Sequence, residues 1–310
     1  MKLEDLSGPI EEAVLPFLDR ADSSLSGIPL TVDQRFWREN GYLIKRNFLP
    51  HSLIDAYVEV RKNHEEWLGQ PTAYMNSPQM RGLCLWKVLT EKLKELIGIE
   101  MGLNLVLCGW RSTERNWHPD SYLNPAFVGA YYLAVWMALE EIHPEAGPFQ
   151  FVPGSHRWPV VTQQKILQAL SKKERDSAAW PKYSERILTR IYEKRIEQED
   201  VEIKEFIPAS KGDILIWHAG LAHRGSKPKN ANLIRKSLIA HYSGIGKRPD
   251  FPPAIQQGDE GWYYPIPCQL IPATGYASVR SKPKWKKLRQ WMKKIPGVEI
   301  AWRRWKGRFS

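Results

Sequence analysis

Six segments rich in β-branched and aromatic residues set the strongest limit on what this chain can fold into: 103–112, 129–140, 148–155, 201–208, 212–223 and 235–244. "GAYYLAVWMALE" and "GDILIWHAGLAH" are typical of them. They are interrupted once, at 162–200, by a charged stretch whose apolar residues recur at helical spacing. Many strands preceded by a helical N-terminal layer predict a mainly β fold with flanking helices. The architecture expected is a jelly-roll-like double sheet with the helices packed outside.

The N-terminal layer has readable boundaries. Thr31, followed by Asp33, Gln34 and the apolar Phe36 and Trp37, marks a helix start, and Asn40-Gly41 marks its end. A strand is expected at "YLIKRNFL", and helices over 51–68 and 85–101. The organisation expected is an extension at 1–30 with a short helical pattern near 10–20, a domain at 31–270 with 162–200 inserted as a lid, and a tail at 271–310.

Charge is unevenly spread. The formal net charge is +11, yet residues 281–310 hold eleven Lys/Arg against Glu299, leaving about +1 for the remainder. A basic tail concerns partners rather than fold. Trp285, Trp291, Trp302 and Trp305 interleave with its lysines and arginines. Three readings stand there: a helix packed on the body, contact with an acidic partner or anionic membrane surface, and, least favoured, nucleic acid. No apolar run reaches bilayer length, and "MKLEDLSGPIEE" lacks the apolar core of a secretory signal. Cys84, Cys108 and Cys268 form no paired framework, so a cytoplasmic protein is expected.

The chemistry is carried by "NWHPDSYL". On an extended segment, side chains two apart share a face, so His118 and Asp120 can bind one metal ion. A third ligand must come from elsewhere, and His218 and His223 both follow the strand "DILIW". Five is an odd separation, so on a straight strand these two would face opposite sides. His223 is preferred because a Gly-Ser-Pro pattern follows it. Two histidines and one carboxylate form the ligand set of non-haem Fe(II) oxygenases, with three positions left open. Gly-rich phosphate loops, GxSxG and HExxH are absent.

Four segments in order resemble the phytanoyl-CoA dioxygenase family of Fe(II)/2-oxoglutarate-dependent oxygenases: "FWRENGYLIKRNFLP", "WHPD", "VWMALEEIHPEAGPFQFVPGSHRW" and "KGDILIWHAGLAHRGSKPKNANLIRKSLIAHY". The likeness spans about residues 32–245 and implies a double-stranded β-helix. It implies His118, Asp120 and His223 as the iron ligands, and Arg235 as partner of the distal carboxylate of 2-oxoglutarate. Ser226 would bond the same carboxylate, although this chain reads His223-Arg224-Gly225-Ser226 where the family has His-Gly-Ser. Trp136 matches a pocket-lining Trp of some members and reads equally as a core aromatic. His156, in "PGSHRW", is expected to hold a turn. The resemblance also implies O2 as oxidant, a small-molecule, carrier-linked or lipid-linked substrate, and release of succinate and CO2. Related halogenases carry a small residue in place of the carboxylate, so Asp120 points to hydroxylation. The alternatives are a non-catalytic metal-binding jelly roll and a binding protein that acts through its tail.

Overall fold

The structure is a computed structural model that describes residues 1–8, 29–112 and 114–266. Two sheets face each other across an apolar interior. The larger contains, in spatial order, β1 (Tyr42–Lys45), β6 (Ile214–His218), β3 (Tyr132–Ala138), β8 (Ser237–Gly244), β2 (Met101–Leu107), β10 (Trp262–Tyr263) and β9 (Ile255–Gln256). The smaller contains β5 (Lys204–Phe206), β4 (Phe149–Phe151) and β7 (His223–Gly225). All pairs are antiparallel except β10 with β2. Strand alternation divides the larger sheet cleanly. Leu133, Val135, Met137, Ile214, Ile216, Leu238 and Ala240 face a helical layer. Ala134, Trp136, Leu215, Trp217 and Ile239 face Phe149, Phe151 and Phe206 of the smaller sheet.

The helical layer is α2 (Val32–Asn40), α3 (His51–Arg61), α4 (Pro78–Cys84) and α5 (Lys87–Ile97). At the start of α2, Thr31 accepts from the Gln34 amide and the Gln34 side chain returns to Thr31 N–H, as the sequence predicts. Gly41 ends the helix at φ +71°. A side chain there would also strike the His156 ring, since a Cβ would lie 2.3 Å from Nδ1. His156 is fully buried and its Nε2 meets the Arg38 carbonyl at 3.2 Å, the turn-holding role expected of it.

Between β4 and β5 the chain forms α6 (Gln163–Ala169), α7 (Lys172–Arg175) and α8 (Trp180–Glu199), within the span read as an insertion. The first residues do not stand apart as an extension. Leu3 and Leu6 of α1 (Leu3–Leu6) bury themselves against Ile166, Leu188 and Ile191, and Ser7 pairs with Val161. The pattern near 10–20 and the whole 271–310 tail lie outside the described residues.

Several expected elements are shorter, two of them for a visible reason. The 51–68 helix stops at Arg61, whose guanidinium turns back onto the carbonyls of Cys108 and His64. The 212–223 strand breaks after His218, whose Nδ1 accepts from Gly220 N–H, and the chain crosses to the smaller sheet as β7. Among the described residues no helix is long and apolar enough to cross a membrane.

Candidate metal centre

The backbone itself brings the two sides of the site together. His118 lies outside the named strands but forms a two-way bridge with His223: its N–H donates to the His223 carbonyl at 3.1 Å, and the His223 N–H donates back at 3.0 Å. The next residues are laced to the β6–β7 connection, with Asp120 and Ser121 N–H both donating to the Ala219 carbonyl. His118, Asp120 and His223 are thereby buried together, and one donor atom from each lies within 4.8 Å of the others. His118 Nε2 is 4.0 Å from Asp120 Oδ1, and His223 Nε2 is 3.8 Å from Oδ2. Donor atoms gathered this closely could hold one cation between them.

The donor chemistry suits a divalent cation. His118 Nδ1 is paired with the Asn116 carbonyl and His223 Nδ1 with the Leu221 carbonyl. Each carbonyl holds the ring proton on Nδ1, so both Nε2 lone pairs are left for a metal. Burial pushes the His118 imidazole well below its ordinary pKa, and Arg115 and His223 push the same way. Burial also lowers His223, against the pull of Asp120. Burial works to raise the Asp120 carboxyl. The charges of His223, His241 and Arg115, with a hydrogen bond from Trp217 Nε1 at 3.0 Å, outweigh it and hold the group below its usual value. The site is thus arranged as two neutral imidazoles and one carboxylate.

His218, the rival ligand, is excluded by position. It follows Ile214 and Ile216 on the face toward the helices, where its ring packs edge-on against Trp37. Arg235 lines the same cavity as the three donors. It is 3% exposed, its guanidinium donates to the Gly147 carbonyl, and its N–H to the Trp110 carbonyl. Gly147 has φ +84°, and a Cβ there would lie 2.6 Å from the Ser226 carbonyl, so only glycine lets this chain pass.

One expectation is corrected, and Trp136 takes the second of its two readings. Ser226 does not line the cavity: its hydroxyl donates to the Pro148 carbonyl at 2.7 Å, and it borders a separate polar surface groove. The cause is strand alternation. His223 and Gly225 face the cavity, and Arg224 moves the serine one place on, to the outward face. Trp136 is a core aromatic between the sheets, edge-on to Phe206, with the Arg235 guanidinium 5.8 Å from its ring centre. It lies beside Arg235 and does not line the cavity.

Sequence reasoning missed Trp217, His241, Arg115 and Phe149, all of which line the cavity. Phe149 stacks on the His223 ring at 5.1 Å. His241 Nδ1 is 4.0 Å from Asp120 Oδ2, and burial drives its pKa down to about 4. Arg115 donates to Glu185 of α8 and to the Tyr122 hydroxyl, tying the helical insertion to the cavity wall. Parity gave a usable signal for two of them: Trp217 shares a face with Leu215, and His241 with Ile239.

Comparison with known proteins agrees with the resemblance. Residues 111–237 match the sequence model of the family described as Phytanoyl-CoA dioxygenase (PhyH). No curated protein matches the chain. Among solved structures it is similar to the non-heme alpha ketoglutarate dependent carbocyclase SnoK from nogalamycin biosynthesis. The TM-score is 0.53 at 16% identity, covering 78% of this chain and 98% of that one. It is also similar to the epimerase SnoN in complex with Fe3+, alpha ketoglutarate and nogalamycin RO, with TM-score 0.50 at 18% identity, covering 69% and 82%. At such identities the likeness is one of fold, and it bears out the jelly-roll architecture.

Proposed function

From the match of residues 111–237 to the phytanoyl-CoA dioxygenase family, we infer that this chain is an Fe(II)/2-oxoglutarate-dependent oxygenase that hydroxylates a small-molecule substrate. One observation carries the reading: three mutually close metal donors and a buried arginine line a single cavity. His118, Asp120 and His223 would hold the iron. Arg235 would take the distal carboxylate of 2-oxoglutarate through a fork of N–H donors that remains charged at any working pH. Bound there, the iron and co-substrate supply activation of O2 and oxidation of a C–H bond, with succinate and CO2 as by-products. The chain's own part is to keep both imidazoles neutral, fix the carboxylate and exclude water with Phe149, Leu107 and Ile239. Asp120 supports hydroxylation over halogenation, because a carboxylate fills the position a halide would need.

The test is anaerobic addition of Fe(II) and 2-oxoglutarate. A weak visible charge-transfer band is expected, absent in Asp120→Ala and weakened in Arg235→Ala. No band in the unaltered protein, and no succinate on admitting O2 with candidate substrates, would sink the proposal.

The tail at 281–310 is proposed to touch an anionic membrane surface from the cytoplasmic side, on the strength of its +10 charge and interleaved tryptophans. Full-length protein should bind anionic liposomes and a 1–280 truncation should not; equal binding by both would remove the idea.

A further inference from the structure

We propose that the primary substrate lies in a groove of about 710 Å3 beside the metal cavity, and that it is a small molecule with an apolar body and one oxyanion. This rests on the oxygenase reading for its chemistry and on the groove's own walls for the ligand. The groove runs between the turn after α3, the end of β2 and the loop before Arg235. Its volume is in the range that holds a small organic ligand.

Three observations point to that occupant. Among the described residues Leu107 is common to the groove and the metal cavity, so the two spaces adjoin at that side chain. Val106, Leu68 and Ile234 continue the apolar surface outward. Leu68 is 63% and Ile234 50% exposed, a cost in water that an apolar ligand would remove. Charge then fixes the polar end. Lys62, which also pairs with Glu59 just outside the lining at 2.8 Å, and Arg111 border the groove against one lining carboxylate, Glu65. The fourth charged lining residue, Arg61, is committed to backbone carbonyls. An excess of cations over an apolar floor selects an anion over a neutral or cationic molecule of the same shape. The apolar end would rest on Leu107 with its C–H bonds toward the metal, and the oxyanion would stay at the rim.

Naphthalene-2-sulfonate, 2-naphthol and 2-naphthylmethylammonium share one ring system and differ in charge. Titrated calorimetrically into the full chain, the sulfonate should bind at one site, the alcohol more weakly and the ammonium not measurably. Ile234→Glu should weaken sulfonate binding about tenfold, since it sets a carboxylate against the ring. Arg111→Glu should weaken the sulfonate and narrow its advantage over the alcohol. Val32→Glu, more exposed still but remote from the groove, should change nothing. Equal binding of all three probes, or no effect of Ile234→Glu, would overturn the proposal.

A second arm separates the two readings. Saturating sulfonate should shift the anaerobic Fe(II)/2-oxoglutarate band; a band it leaves unmoved would overturn the assignment of the groove to the substrate. No band in any sample, with selective probe binding intact, would sink the oxygenase reading and leave the groove. A normal band without selective binding would do the reverse.

Discussion

Trp217, on β6 of the larger sheet, donates its one polar hydrogen to Asp120 Oδ2, and this bond decides which way the carboxylate faces. Trp217→Phe keeps the ring contacts with Phe149 and His223 but leaves the carboxylate free to rotate. It should weaken divalent-metal binding about 10-fold, the scale of losing one such supporting bond, while thermal unfolding shifts little. Calorimetric metal titration checks this, and an unchanged affinity would show that the indole is only packing. At this scale the sequence was informative about ligands and poor about their support. His118 and Asp120 are read from positions two apart, but the Trp217 partnership spans 97 residues and exists only once the strands have paired. Ser226 shows the opposite failure. A motif was carried across an added residue, and alternation turned the hydroxyl outward.

Elements were legible where local chemistry sets their ends. The α2 start was visible as Thr31 with Gln34, and its end as Asn40-Gly41. What the pattern could not show is that Gly41 also makes room for His156, 115 positions later in the chain. Gly41→Ala therefore faces both a left-handed backbone and a clash. It should cost about 2–4 kcal/mol in urea unfolding, whereas an alanine at the open, positive-φ Gly246 should cost only about 1–2 kcal/mol. Equal losses at the two sites would show that His156 yields without strain. The helices between 163 and 199 were foreseen from their charge and period. Its packing with Leu3 and Leu6 was not, because a four-residue helix carries too little periodicity to reveal what it covers.

Across the whole molecule, burying histidines as neutral rings ties the fold to pH. Burial holds His156 at about 4, with the Arg38 carbonyl bond pulling the other way. Its ordinary value is near 6.5, so between about 6.5 and 4 the unfolded chain takes up a proton that the folded chain refuses. Stability contributed by the neutral ring is complete above that window and is lost as pH falls through it, by up to about 1.4 kcal/mol per pH unit. Below about 4 both states are protonated and the slope flattens. His156→Phe should lessen the difference between urea midpoints at pH 7 and pH 5; an identical difference in both proteins would place the acid sensitivity elsewhere.

The bridge between His118 and His223 is made by main-chain groups alone. Side chains at either end can therefore be exchanged without moving the frame that presents them. A lineage built on this scaffold is free to alter what the centre grips through single substitutions that leave these backbone bonds in place. The architecture separates the place where chemistry happens from the choice of chemistry.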